Sequence, residues 1–300
     1  MQRYLLLAVV GLAAQLVDGA LGMGYGVTSS SLLLLAGLTP AMASASVHLA
    51  EMGTNIASGI SHHNLGNVDW RLVAKLGVPG AIGAFAGATF LSNLSTEAAQ
   101  PVMATILGLL GAYILLRYVF KPPAVAQARR SPHGRRFLVP LGLVGGFVDA
   151  TGGGGWGPVS TTALLSAGKT APRTVIGSVD TSEFLVSTAA SIGFVAALGT
   201  AGIDWWIVLS LLAGGVIAAP IAAWLVSRIP AQVMGVAVGG LIVITNLRTL
   251  FSAGGITGAS ATVGYVVIVV LWVGLTAWQA LAYRRDVRAL QAAEDQEYSI

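Results

Sequence analysis

Acidic side chains that stand in otherwise apolar stretches are the residues of this chain with the clearest capacity for chemistry. There are five of them: Asp18, Glu51, Asp149, Asp180 and Glu183. Burying a charge among apolar residues is costly, so a carboxylate placed there is a candidate for function. A carboxylate held away from water also binds a proton more readily than one in water. These residues could therefore carry protons or bind cations.

A histidine extends this acidic set. His48 precedes Glu51 by three positions, just as Asp180 precedes Glu183. Side chains three positions apart on a helix share one face. We therefore expect the two pairs to line a common cavity if the helices that carry them face each other.

A purely structural role is the alternative for these polar groups. Asp18 and Asp149 each stand just before a glycine turn, which Asp commonly caps, so for them the two interpretations stay open. Glu51 and Glu183 have fewer local capping uses. We predict proton coupling or gating for six residues: Asp18, His48, Glu51, Asp149, Asp180 and Glu183.

Two glycine clusters, 19–26 and 152–157, each run into a hydroxyl-rich segment. A helix that begins after such a turn aims its free N–H groups and partial positive charge at one point, and Pro158 suits the first position of a helix. We predict an anion site without Lys or Arg, over which Tyr25 and Trp156 could close. Close helix packing is the alternative role of the glycines. The predicted binding residues are Gly24, Tyr25, Gly26, Thr28, Ser29, Ser30, Gly155, Trp156, Gly157, Ser160, Thr161 and Thr162.

The composition of the chain indicates the class of protein in which these polar side chains are held. Of 300 residues, 55% are hydrophobic and only 9% are charged, with a mean hydropathy of +0.79. A soluble domain carries about 25% charged residues, so a polytopic membrane protein is the interpretation that remains. The lack of Cys excludes disulfides and thiolate metal sites. Basic residues are scattered between apolar runs, which does not favour nucleic-acid binding.

Seven apolar stretches have the length of about 20 residues that a membrane-spanning helix needs: 41–61, 71–93, 97–117, 172–198, 204–227, 231–251 and 260–283. Two longer stretches, 3–37 and 137–168, are interrupted by the glycine clusters. Each is either one broken span or a hairpin of two short helices. The first could be a signal peptide, but no cleavage site follows it and a similar segment recurs later, so we expect it in the mature protein.

The distribution of basic residues favours the hairpins. With two hairpins, 14 of the 16 Lys and Arg fall on one side, and only Arg3 and Arg248 on the other. With two single crossings, the better orientation divides the same 16 residues 10 to 6. By the positive-inside rule, we predict that the N-terminus lies outside and the C-terminus lies in the cytoplasm.

An internal repeat organises the chain. A shift of about 131 residues aligns the first glycine cluster with the second and, after small insertions, His48 with Asp180 and Glu51 with Glu183. Each copy would hold a hairpin and three spans, an odd number of crossings, so the fold class is an all-α membrane protein of two inverted repeats, typical of secondary transporters. The predicted domains are repeat 1–120, basic linker 121–136, repeat 137–251, and an extra helix with its tail, 252–300.

The twin segments Asp18 to Gly26 and Asp149 to Gly157, each followed by a short helix, a Pro and a polar-faced span, resemble the TauE/SafE family of sulfite and organosulfonate exporters. The likeness covers about residues 5–251 and continues to the end of the chain in the terminal helix. It implies a transporter of the bacterial inner membrane that moves sulfite or an organosulfonate such as sulfoacetate, mostly outward. It also implies that 24–30 and 155–162 hold the anion. In the first copy, Met23 and Tyr25 depart from a fully glycine-rich turn.

Two other function classes remain open. A cation or metal transporter would use the five buried carboxylates as ligands. An intramembrane enzyme would need His48 beside Glu51. We expect no cofactor, because neither glycine cluster fits a nucleotide-binding motif. The expected partners are a small anion and the lipid bilayer, without nucleic acid. His62 and His63 are interpreted as an interfacial pair without carboxylate partners.

Overall fold

The computed structural model describes residues 2–21, 23–120, 130–167, 169–226 and 231–297. In these ranges all regular secondary structure is helical, which confirms the predicted all-α class. Residues 121–129 of the predicted linker lie outside the described residues. The predicted domain boundaries stay predictions.

The first half of the chain begins with a helical hairpin. The first helix ends and the second begins around Gly24, which adopts φ 119°, a backbone conformation that favours glycine. Thr39 then caps the third helix by accepting the N–H of Met42 through Oγ1, with Pro40 in the first helical position. The helices are α1 (Gln2–Leu21), α2 (Tyr25–Leu35), α3 (Pro40–Asn64), α4 (Trp70–Ser92) and α5 (Thr96–Phe120).

The second half repeats this order with a more irregular hairpin. Three successive glycines, 153–155, all have positive φ, and a π-helical turn, Gly157–Thr161, follows them. Where the sequence predicts one short helix, the structure has this wide turn and then only five α-helical residues. The helices are α6 (Arg135–Gly152), α7 (Thr162–Ser166), α8 (Pro172–Leu198), α9 (Trp205–Val226), α10 (Ala231–Ala253) and α11 (Gly258–Glu297).

Among the residues that the structure describes, five helices are long and apolar enough to cross a membrane: Trp70–Ser92, Thr96–Phe120, Pro172–Leu198, Gln232–Ala253 and Gly258–Arg285. They correspond to five of the seven predicted spans. The stretch 41–61 is also helical, but α3 carries too many polar residues to count as apolar. The apolar part of α9 that the structure describes, Trp205–Ala218, is shorter. The chain is a multi-pass membrane protein, and His48 and Glu51 lie on α3, a long helix that is more polar than these five apolar stretches.

The helices of the two halves pack against each other in equivalent pairs. The first helix of each half packs on the fourth helix of the other, α1 on α9 and α6 on α4, while α3 faces α8 and α5 faces α10. Glycines permit these contacts: a Cβ on Gly142 would lie 3.1 Å from the backbone nitrogen of Gly80. In contrast, α11 is peripheral, with no buried side chain between residues 258 and 285. The inverted orientation of the halves stays a prediction.

Candidate functional site

The two glycine clusters touch each other in the interior of the protein. A Cβ added to Gly26 would lie 2.6 Å from Cα of Gly154 and 2.9 Å from Oε1 of Glu51. A Cβ on Gly154 would overlap the backbone of Gly26 and Val27. Only glycine permits the backbones of the two hairpins to cross at this distance. The crossing brings the starts of α2 and of the π-helical turn together.

Each hairpin is capped by its own aspartate. Oδ1 of Asp18 accepts the N–H of Tyr25 at 3.2 Å, and Oδ1 of Asp149 accepts the N–H of Trp156 at 2.9 Å. Both contacts span seven residues, so the two turns are closed in the same way. The capping role that the sequence left open is present in both. One N–H at each helix start is therefore already used.

The aromatic rings of both turns are anchored by hydrogen bonds to helices of the second half of the chain, α9 and α8. The hydroxyl of Tyr25 donates to the carbonyl of Leu211 at 3.3 Å. Trp156 is fully buried, and its Nε1–H donates to the carbonyl of Val179 at 3.0 Å. Its ring fills the space that the missing side chain of Gly80 leaves, because a Cβ there would collide with it. That either ring closes over a ligand stays a prediction.

The hydroxyl groups next to the crossing are buried, and most of them make no hydrogen bond to a described residue. In the described structure, five of them have no hydrogen-bond partner: Thr28, Ser29, Ser160, Thr161 and Thr162. Ser30 differs, because its hydroxyl donates to the carbonyl of Gly153 across the crossing. A buried hydroxyl without a partner costs about 1–3 kcal/mol. Of the five, Thr161 lines a small cavity beside the crossing, where its hydroxyl can donate to a group rich in acceptor oxygens.

One predicted pair of titratable groups forms a closed contact. His48 Nε2 lies 3.1 Å from Oδ2 of Asp149, and both side chains are fully buried. His48 Nδ1 lies 2.8 Å from the carbonyl of Ser44, which can only accept, so Nδ1 carries a hydrogen. One further proton is shared between Nε2 and the carboxylate. The sequence aligned His48 with Asp180 but gave no reason to pair it with Asp149.

Three of the other predicted acids, Asp18, Asp180 and Glu183, line a small cavity of about 10 Å³, space for the centre of one water. Asp180 accepts a hydrogen bond from the hydroxyl of Ser58 at 2.6 Å. Glu51 is 2% exposed, and its Oε2 has no partner among the described residues. The cavity is lined by Asp18, Met23, Gly24, Gly26, Val27, Gly155, Gly157, Pro158, Thr161, Val179, Asp180 and Glu183.

Two contacts around this site were not foreseen. Asn246 on α10 is buried and donates from Nδ2 to the hydroxyl of Ser31 at 2.9 Å, which ties α2 to α10. A polar amide inside an apolar span was the signal for it. His62 lies in the last turn of α3, with Nε2 4.0 Å from Oδ2 of Asp180. The interpretation of His62 as a residue without a carboxylate partner was therefore wrong.

Polar pockets lie at the helix ends beyond the central site. A pocket of about 380 Å³ between the end of α2, α5 and α10 contains Arg248 and Glu97. A pocket of about 350 Å³ at the α3–α4 connection contains Arg71 and Arg130. Nearby, burial and then the charge of Lys169 lower the pKa of His133. The cationic groups of these pockets thus lie away from the central cavity, whose described lining contains no Lys or Arg.

The acids do not form a recognisable metal centre. Within the residues that the structure describes, no group of three or more His, Asp or Glu side chains is arranged to hold a metal ion. Asp18, Asp180 and Glu183 share the cavity, whereas Asp149 is engaged by His48.

Comparison with known proteins agrees with this architecture. A family model described as "Sulfite exporter TauE/SafE" matches residues 7–249. The "Probable membrane transporter protein YtnM" of Bacillus subtilis (strain 168) is 53% identical over 252 residues, which cover 84% of this chain and 84% of that protein. The "Probable membrane transporter protein YdhB" of the same organism is 25% identical over 251 residues, which cover 82% of this chain and all of that protein. No solved structure matches the chain.

Proposed function

Because the chain belongs to the TauE/SafE family and is a membrane transporter rather than an enzyme, we propose that it exports a small sulfur-containing anion across the bacterial inner membrane. The proposed substrate is sulfite or an organosulfonate such as sulfoacetate. The observation that carries the proposal is the set of buried hydroxyls on both sides of the glycine crossing that have no partner among the described residues, with Thr161 at the cavity. A sulfite or sulfonate group offers three acceptor oxygens to such donors.

Backbone N–H groups complete the proposed site. The first N–H groups of a helix have no acceptor within it. Those of Tyr25 and Trp156 are used by the capping aspartates, which leaves the next ones, on Gly26 and Gly157, for a ligand. Gly26 and Gly157 both line the cavity, as does Thr161. The helix dipoles add partial positive charge at the same place.

The neighbouring carboxylates explain why the anion would travel with protons. Two like charges 4 Å apart repel by about 4 kcal/mol at an effective dielectric constant of 20. An anion beside ionised Asp18, Asp180 and Glu183 would meet this repulsion several times over. Protonation of these acids removes it. We therefore propose that proton binding and anion binding favour each other at this cavity.

The cavity must widen to admit the proposed substrate. Its present volume of about 10 Å³ has room for one water and not for a sulfur oxyanion. The structure therefore corresponds to a closed state of the proposed cycle. In repeat-built transporters, access alternates as one half rocks against the other around a fixed site. The glycine crossing, where the two halves meet, is the place where such a motion would open the cavity.

The test uses two buried threonines that differ in position. Thr161 lines the cavity, whereas Thr170 lies before α8, and the hydroxyls of both are buried without a partner among the described residues. In proteoliposomes, we expect Thr161→Val to raise the KM for sulfite or sulfoacetate by about tenfold or more, as loss of a hydrogen bond to a charged ligand does. We expect Thr170→Val to leave it unchanged.

Two results would count against the proposal. If neither variant changes KM, the hydroxyls do not bind the anion. If the wild-type protein moves none of sulfite, sulfoacetate, sulfate or thiosulfate, the proposed substrate class is wrong. The same vesicles loaded with divalent cations test the alternative of a cation transporter, for which the acids at the cavity are the supporting observation.

A further inference from the structure

His62 occupies a position between the surface and the carboxylate cavity. Its side chain is 25% exposed, and Nε2 lies 4.0 Å from Oδ2 of Asp180. Nδ1 is buried and has no partner in the described structure. Gly177 on α8 makes room for the ring, because a Cβ at that position would lie 2.9 Å from Nδ1. The imidazole thus contacts α8 at the point where the cavity lining begins.

We propose that His62 and Asp180 form the entrance through which protons pass from the surface at the α3–α4 connection to the buried acids. This inference rests on the proposed function, because it supplies the protons that the anion site requires. It assigns a role to a histidine that the anion site itself does not use.

The chemistry requires one proton and no other reactant. His62 binds a proton from water at Nε2, and the N–H bond then breaks as the proton passes to Oδ2 of Asp180. The imidazole is left neutral and the carboxylate becomes a carboxylic acid. The 4.0 Å separation exceeds a direct hydrogen bond, so a small rotation of the ring or one bridging water completes the contact.

The surroundings of His62 suit an exchange of protons on the acidic side of neutral pH, because burial lowers the pKa of its imidazole below the ordinary value. Histidine is the side chain whose ordinary pKa lies closest to this range. Among the described residues, Asp180 on α8 is the charged group within 4.0 Å of the ring, and the neutral Asn67 packs beside it on Gly177. Ser58 donates to the same oxygen of Asp180 and so holds the carboxylate toward His62.

The corresponding acid and its partner in the other half of the chain are not accessible to water. There the acid of the hairpin, Asp149, is bound to His48, and both side chains are fully buried. The matching acid, Asp18, instead shares the cavity with Asp180. Of the two places, only the one beside Asp180 has a partly exposed titratable side chain in contact. The difference predicts that protons enter from the side on which α3 ends.

His63 provides a matched control for the test. It neighbours His62 in sequence, but it is exposed, and its ring packs edge-on against Trp70 with 5.6 Å between the ring centroids. Purified His62→Gln and His63→Gln proteins would be placed in liposomes that contain a trapped pH-sensitive dye. Sulfite or sulfoacetate uptake and proton movement would then be recorded together between pH 5 and 8, the range in which histidine titrates.

We expect His62→Gln to slow coupled proton movement on the order of tenfold and to lose an inflection of rate with pH that lies below the ordinary histidine pKa, because burial lowers the pKa of His62. Added imidazole should restore part of the rate. His63→Gln should match the wild-type protein. His62→Phe, which keeps the ring volume without the nitrogens, should behave as His62→Gln does and serves where the Gln variant does not fold.

The outcomes separate this inference from the proposed function. A wild-type protein that moves no sulfur anion contradicts the proposed function. A wild-type protein that moves the anion without protons, or a His62→Gln variant whose rate and pH profile equal those of His63→Gln, overturns the proton entrance and leaves the anion site untouched.

Discussion

Replacing Gly154 by alanine tests the crossing of the two hairpins most directly. The new Cβ would overlap the backbone of Gly26 and Val27, and neither backbone can turn aside as a flexible side chain can. Gly154 also has φ 145°, a conformation that is strained for alanine. Strained backbone costs about 1–3 kcal/mol, and overpacking costs another 1–3 kcal/mol. We therefore expect a loss of about 2–6 kcal/mol together with a loss of transport.

Gly66→Ala is the matched control. Gly66 has φ 67°, so alanine is strained there too, but a Cβ would meet no atom within 4 Å. Its expected cost is the backbone term alone, about 1–2 kcal/mol. Thermal unfolding of both variants in detergent, followed by anion flux in liposomes, measures the difference. Equal unfolding temperatures and equal flux would refute the close crossing and the importance that we assign to it.

Three further predictions concern contacts that join distant parts of the chain. Asp149→Asn removes one partner of the fully buried His48 pair and should cost about 3–5 kcal/mol in unfolding free energy, whereas the double variant with His48→Leu should recover part of that loss. Asn246→Leu should cost about 1–3 kcal/mol, because the hydroxyl of Ser31 loses its partner; Ser31→Ala in the same background should then add little. Trp156→Phe keeps most of the packing but loses the hydrogen bond to a backbone carbonyl, so we expect a cost of about 1 kcal/mol, measured by the same thermal unfolding with flux as the second readout.

The local chemistry of the hairpins could be predicted from sequence. Glycine clusters interrupt apolar runs, and an Asp before each cluster suggests a cap, because these signals act over seven residues or fewer. The length and hydropathy of 71–93 or 260–283 likewise predict a membrane-spanning helix without any knowledge of tertiary contacts. Five of the seven predicted spans are confirmed in this way.

The contacts between the halves could not be predicted. The pairing of His48 with Asp149 joins residues 101 positions apart and depends on how α3 packs against α6. The repeat suggested a match between His48 and Asp180, but equivalent positions in two copies need not touch. The contact between Gly26 and Gly154 likewise depends on how the two halves of the chain pack together. Glycine clusters predict that another backbone packs closely, but they do not indicate which segment of the chain supplies it.

The contact between Tyr25 and Leu211, 186 residues apart, has a consequence for how the protein is made. A ribosome adds about 5–20 residues per second, so about 10 to 40 seconds pass between the synthesis of these two partners. During that interval α1 is in the membrane without α9, and the surface around Gly11, which in the finished protein meets the backbone of Leu211, has no partner from α9. The first half must therefore remain in the membrane with this surface of α1 uncovered until α9 has been synthesised and packs against it.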